Sequence, residues 1–167
     1  MPDAADEPPD IHWPAGFTPD RADCYSGARI TVAAPAPRVF DLLVAAGGWP
    51  AWLPGVTGVR FHGACAGPLR QHDSFELLLA ERHRFEVLVA ELVPHRRLGL
   101  SGIAGGLQLY HAWLLTPSSG GHTLVASELV ARGTTATAIR EAPPVWANRL
   151  NARWLTGLRE RTEAGGP

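Results

Sequence analysis

The sequence predicts an α+β fold: a strongly curved, seven-stranded antiparallel sheet wrapped around a long C-terminal helix, with two short helices after the first strand. Three observations predict it. A train of short strand-like runs between residues 56 and 132 carries no helical pattern between its members, so neighbours must pair antiparallel. The last third of the chain switches to helical spacing and keeps it for about five turns. Between the first strand and the train lies PAPRVFDLLVAAGGWPAWLPG, a short helix running into a segment too rich in Pro and Gly for more than a turn or two.

The elements follow in order. Residues 1–24 carry five prolines among six acidic residues and read as a poorly ordered extension, leaving 25–167 as one domain. Ala28, Ile30 and Val32 alternate with Arg29 and Thr31, the pattern of a half-buried strand. Pro35 and Pro37 open a helix in which Val39, Phe40, Leu43 and Val44 recur, and Gly47 and Gly48 end it. Trp49 and Trp52 follow, with no charge between them. The strand-like runs are 56–63, 73–80, 83–93, 96–102, 107–116 and 122–132, divided by AGPLR, the Pro94 turn, GIAGG and PSSGG. In the third, Phe85, Val87 and Val89 face one way and Arg84 and Glu86 the other. Residues 134–142 read equally as a helical piece or a hinge. Pro143 and Pro144 then open the terminal helix, where Ala147, Leu150, Trp154 and Leu158 form one stripe flanked by Trp146, Asn151 and Leu155. A sheet must curl around such a helix to bury its stripe, and small facing side chains leave a cavity between the two.

Composition removes several classes of function. The chain has 167 residues, 46% hydrophobic and 19% charged, as expected of a single globular domain. Its net charge of −1 supplies no positive field for nucleic acid. All 15 basic residues are Arg, so neither a Schiff-base lysine nor a P-loop is available. No apolar run reaches the roughly 20 residues that span a bilayer, and MPDAADEPPD has no secretory-signal character; a cytoplasmic protein without membrane insertion is expected. Cys24 and Cys65 have no metal-like or redox-motif spacing, and the seven histidines include no HExxH, so no metal is expected.

In this order of elements, the strings ITVAAPAPRVFDLL, WPAWLPGV, HAWLLTPSSGGHTLVASELVARG and a terminal WLTGLRERTE resemble the START/Bet v 1-like (SRPBCC) superfamily. Within it they are most similar to the polyketide cyclase/dehydrase and lipid transport group. The resemblance runs from about Ala28 to Glu163 and implies the helix-grip fold, with an internal cavity for a hydrophobic small molecule. It also implies one of two functions: cofactor-free cyclisation, dehydration or aromatisation of a polyketide-like or aromatic compound, or carriage of a lipid or apolar metabolite unchanged. In such folds Trp49 and Trp52 would floor or close the pocket.

Candidate chemistry concentrates in the hairpin of residues 107–132. Glu128 shares its face with Leu124, Ala126 and Val130, and a carboxylate there must be paired or protonated. If Leu115 opposes Leu124, Glu128 meets His111; if Leu115 opposes Thr123, it meets Tyr110. The first register puts Leu107, Leu109, Trp113 and Leu115 inside and is the one favoured. His111 and Glu128 would then form a general acid–base pair near neutral pH. Arg97 is the candidate to hold an enolate. Asn151 would point a neutral donor inward, and Phe85, Trp113 and Trp154, with Trp154 foremost, would line the cavity for a flat ligand. No cofactor is called for, and a homodimer is left open.

Overall fold

A computed structural model describes residues 11–63, 67–80, 83–141 and 146–165, with the main chain alone at 139–141 and 146. Residues 1–10, Cys65 and the Pro143–Pro144 helix start lie outside the described residues, as does the ring of Trp146. The elements are β1 (Cys24–Val32), α1 (Ala36–Val44), α2 (Trp49–Trp52), β2 (Val56–Phe61), β3 (Ser74–Leu79), β4 (Arg84–Val93), β5 (Arg97–Ala104), β6 (Leu107–Ser118), β7 (His122–Arg132), α3 (Thr134–Glu141) and α4 (Trp146–Ala164). The seven strands form one antiparallel sheet in the order β1-β7-β6-β5-β4-β3-β2. This is the expected helix-grip architecture of a curved sheet around a C-terminal helix.

Beyond shifts of one or two residues at the ends of the other strands, the chain differs from expectation in two places. β1 begins at Cys24, not Ala28, and pairs with β7 along its whole length, from Cys24↔Ala131 to Val32↔Thr123. The residues open at 134–142 form α3 over Thr134–Glu141.

The concave face of the sheet carries the core. Cys24, Ser26 and Val32 of β1, Leu98 and Leu100 of β5, His111, Trp113 and Leu115 of β6, and Val125, Ser127 and Leu129 of β7 are all buried there. α4 lies across this face and buries Ala147, Asn151, Trp154, Leu155 and Leu158, one stripe at helical spacing. Trp49 closes one end of the core; its indole N–H donates to the Leu43 carbonyl at 3.0 Å, and its ring meets Phe75 edge-on.

The convex face is partly apolar as well. Tyr110, Ala112, Leu114, Ala126 and Val130 are buried on it. Residues 11–23 lie over part of this face: Trp13 packs edge-on against Tyr110, the Gly16 carbonyl accepts from the Arg132 guanidinium at 2.8 Å, and Asp23 accepts from the Gly133 N–H. Glycine permits the closest contacts there. A side chain at Gly99 would collide with the Tyr110 hydroxyl, and one at Gly27 would come within 2.6 Å of the Tyr25 hydroxyl.

Candidate functional site

A cavity of ≈ 40 Å³ lies between the concave face and α4. Its floor is Trp49; Leu77, Leu79, Phe85 and Val87 come from β3 and β4, and Leu100, Leu109, His111 and Leu129 from β5, β6 and β7. Leu150 and Trp154 of α4 complete the wall. That volume holds roughly three waters, at about 10–15 Å³ each on this measure. Its surface is almost all carbon, and among the described lining residues His111 is the one ionisable side chain. The tryptophans around it are held rigidly: the indole N–H of Trp154 donates to the Pro54 carbonyl at 3.0 Å.

His111 sits between two indoles, 4.8 Å from Trp113 and 5.7 Å from Trp154 between ring centres, and is 5% exposed. Its Nε2 lies 2.7 Å from the Ser127 hydroxyl. Ser127 in turn donates to Asn151 Oδ1 at 2.5 Å, while Asn151 Nδ2 donates to the Ser127 carbonyl at 2.8 Å and more weakly to Ser26 at 3.5 Å. Because the serine proton is committed to the amide oxygen, Nε2 must carry the imidazole proton and donate to Ser127. Nδ1 therefore keeps its lone pair, and no described residue donates to it. Burial pushes His111 down to about 4, with the Asn151 amide pulling weakly the other way, so the ring is neutral at ordinary pH.

The His111–Glu128 pair expected from the sequence does not form. The hairpin register is Leu115↔Val125, which sets His111 opposite Leu129 and Ala112 opposite Glu128. Neither register considered from the sequence is adopted. The reason is the turn: Ser119–Gly121 closes the hairpin in three residues with Gly120 and Gly121 both left-handed, fixing Ser118 against His122. Glu128 consequently faces the convex side, where it accepts a short hydrogen bond from the Tyr25 hydroxyl. Arg97 does not reach inward either; it pairs with Leu114 in the convex register and lies 3.9 Å from Glu91. The convex side also takes Tyr110, which is shielded by Trp13 and has its phenol pushed up to about 12 by burial and by Glu91.

The remaining candidates divide. Trp49, Phe85 and Trp154 line the cavity. Trp113 stands behind His111 on the concave face, and Asn151 is the buried anchor of the histidine's hydrogen-bond chain, so neither is part of the cavity wall. Trp52 borders an outer cleft with Pro54, Thr156 and Glu160. Neither Ser127 nor Ser26 stands out in the sequence. The available signal was two small hydroxyls at inward positions of β1 and β7, facing the only amide in the apolar stripe of α4.

Comparison with known proteins agrees with this geometry. The family described as polyketide cyclase / dehydrase and lipid transport matches residues 27–163. No curated protein matches in sequence. A hypothetical protein of Helicobacter pylori superposes with a TM-score of 0.84 at 20% identity, covering 92% of this chain and 96% of that one. An aromatase/cyclase from a Streptomyces species, Zhui, superposes with a TM-score of 0.67 at 18% identity, covering 86% and 98%. A START superfamily protein of Mycobacterium smegmatis gives 0.66 at 14%, covering 85% and 99%. At these identities the likeness is one of fold.

Proposed function

The chain belongs to the polyketide cyclase/dehydrase and lipid transport family, and on that premise we propose that it binds a polyketide-like or aromatic molecule in its interior cavity and cyclises or dehydrates it by proton transfer through His111. The observation that carries this reading is the one imidazole among the described residues of a carbon-lined cavity, with Nε2–H engaged by Ser127 and the Nδ1 lone pair left over.

The chemistry balances without a cofactor. Nδ1 removes a proton from a carbon between two carbonyls; the resulting enolate carbon attacks a second carbonyl of the same substrate, forming a carbon–carbon bond. The new alkoxide takes the proton back from Nδ1. Loss of water then follows the same route: the proton leaves carbon for Nδ1 and departs on the hydroxyl as the double bond forms. An imidazole with a pKa of about 4 is a weak base. Each unit by which the substrate's carbon acid is weaker costs about 1.4 kcal/mol, which restricts the reaction to doubly activated carbons. Orientation by the walls, which include Trp49, Phe85 and Trp154, supplies the rest of the acceleration.

The same weak basicity favours a second reading, that of a carrier which returns its ligand unchanged: the described walls hold no second ionisable group to act as acid partner or to stabilise an enolate. One experiment separates the two. A synthetic aryl triketone is incubated with protein, binding is followed by quenching of tryptophan fluorescence, and the recovered compound is weighed by mass spectrometry. For the enzyme, wild-type protein returns a cyclised isomer or a product one water lighter, while His111→Ala binds and returns starting material. For the carrier, wild-type protein returns starting material and the substitution alters affinity alone. Wild-type protein that leaves fluorescence unquenched sinks both.

A further inference from the structure

The mouth of the cavity carries a charge arrangement that the interior lacks. Outside the wall formed by Leu79 and Leu150 lies a second cleft of ≈ 200 Å³, bordered by Pro54, Gly55, Ala80, Arg149 and Arg153 together with those same two leucines. Leu79 and Leu150 line both spaces, so these two flexible side chains stand between cleft and cavity. The described lining of the cleft holds two guanidinium groups and no carboxylate. None of the described ion pairs involves Arg149 or Arg153.

The positions add to the field. Arg149 and Arg153 are one helical turn apart on α4, near enough for their charges to repel. Arg149 stands in the first turn, the end at which the helix dipole is positive, and that turn contains no acidic residue to offset it. Both features disfavour the isolated protein slightly and are reversed by an anion seated between the two forks, which bind carboxylates in a bidentate manner.

We propose that the ligand is amphipathic: its apolar body enters the cavity past Leu79 and Leu150, and an anionic group, a carboxylate or its equivalent, stays in the outer cleft against Arg149 and Arg153. This rests on the cavity being a ligand site, as argued above, and adds the polarity and direction of the ligand. At ≈ 40 Å³ the resting cavity is too small for an aromatic body, so Leu79 and Leu150 must swing aside and the walls part for one to enter, and the anion then holds the mouth occupied.

The test uses matched probes, 2-naphthoate and 2-naphthamide, titrated by tryptophan fluorescence at low and at moderate salt. The wild-type protein is expected to prefer the carboxylate by about tenfold at low salt, with the preference shrinking as salt is added. Arg149→Gln/Arg153→Gln should erase the preference and leave the amide's affinity unchanged. Leu129→Trp, which fills the cavity from the sheet side, should weaken both probes together. Equal affinity of wild-type protein for the two probes, with Leu129→Trp still blocking them, overturns the anionic ligand and leaves the cavity reading standing. A preference that survives the double substitution also overturns it, since the anion is then held elsewhere. Binding of neither probe removes the cavity reading and this inference together.

Discussion

Replacing Asn151 by Ala tests the hydrogen-bond chain that sets the state of His111. The amide accepts from Ser127 at 2.5 Å and donates to the Ser127 carbonyl at 2.8 Å, with every partner buried. Two good buried bonds at about 1 kcal/mol each, plus the emptied volume of the amide, set the expected loss at about 2–3 kcal/mol. A second effect follows from proton direction. Once Asn151 Oδ1 is gone, the best acceptor left for the Ser127 hydroxyl is His111 Nε2, which must then give up its proton to Nδ1. The cavity would face an N–H donor where it had faced a lone pair. Urea denaturation at pH 7 followed by fluorescence measures the first effect, and nitrogen chemical shifts of the His111 ring measure the second. Asn151→Leu, with the same branched outline and the same number of side-chain heavy atoms, separates lost bonds from lost packing. A stability loss under about 0.5 kcal/mol, or a His111 ring that stays protonated on Nε2 in the Ala variant, would refute the reasoning.

Three further outcomes are expected. His111 binds its proton at about 4 in the folded protein against an ordinary 6.5, so the unfolded chain protonates first and stability falls as pH drops from 6.5 towards 4. The integrated loss is about 3 kcal/mol; His111→Gln should flatten that limb of a denaturation-versus-pH curve, and an unchanged limb contradicts the assignment. Both tyrosines, Tyr25 beside Glu128 and Tyr110 beneath Trp13, are pushed up to about 12, so ultraviolet titration of native protein should show no step at pH 10. Gly99→Ala forces the Tyr110 ring, whose Cζ would lie 2.8 Å from the new methyl, away from its seat against Trp13. It should cost about 1–3 kcal/mol and speed proteolysis near residue 13; wild-type resistance would show that the ring has another place to go.

How far the residues disclose this fold depends on whether a strand has one wet face. β4 does: Phe85, Val87 and Val89 are buried while Arg84 and Glu86 are exposed, and its alternation reads directly. α4 announces itself in the same way through Ala147, Leu150, Trp154 and Leu158. β7 has no such contrast. Val125, Leu129 and Ala131 point to the cavity side, while Ala126 and Val130 are equally buried on the other, the side on which Trp13 packs against Tyr110. With both faces apolar, alternation cannot say which one Glu128 occupies, and a slip of one residue exchanges them. What decides is the turn, three residues closed by Gly120 and Gly121, whose geometry is set by torsion angles that the string PSSGG does not display. A carboxylate amid apolar neighbours therefore signalled a partner correctly and a site wrongly. The partner is the Tyr25 hydroxyl, which can fold back onto Glu128 because Gly27 leaves the space for it. The cavity's polar group instead obtained its partner from a residue too small to stand out, Ser127, which Asn151 joins across the interior to Ser26. A buried imidazole served by neutral hydroxyls and an amide is held neutral, whereas a carboxylate neighbour would have drawn a proton onto it. The one-residue difference in register thus changes the chemistry open to the site from general acid–base work at neutral pH to proton acceptance by a weak, desolvated base.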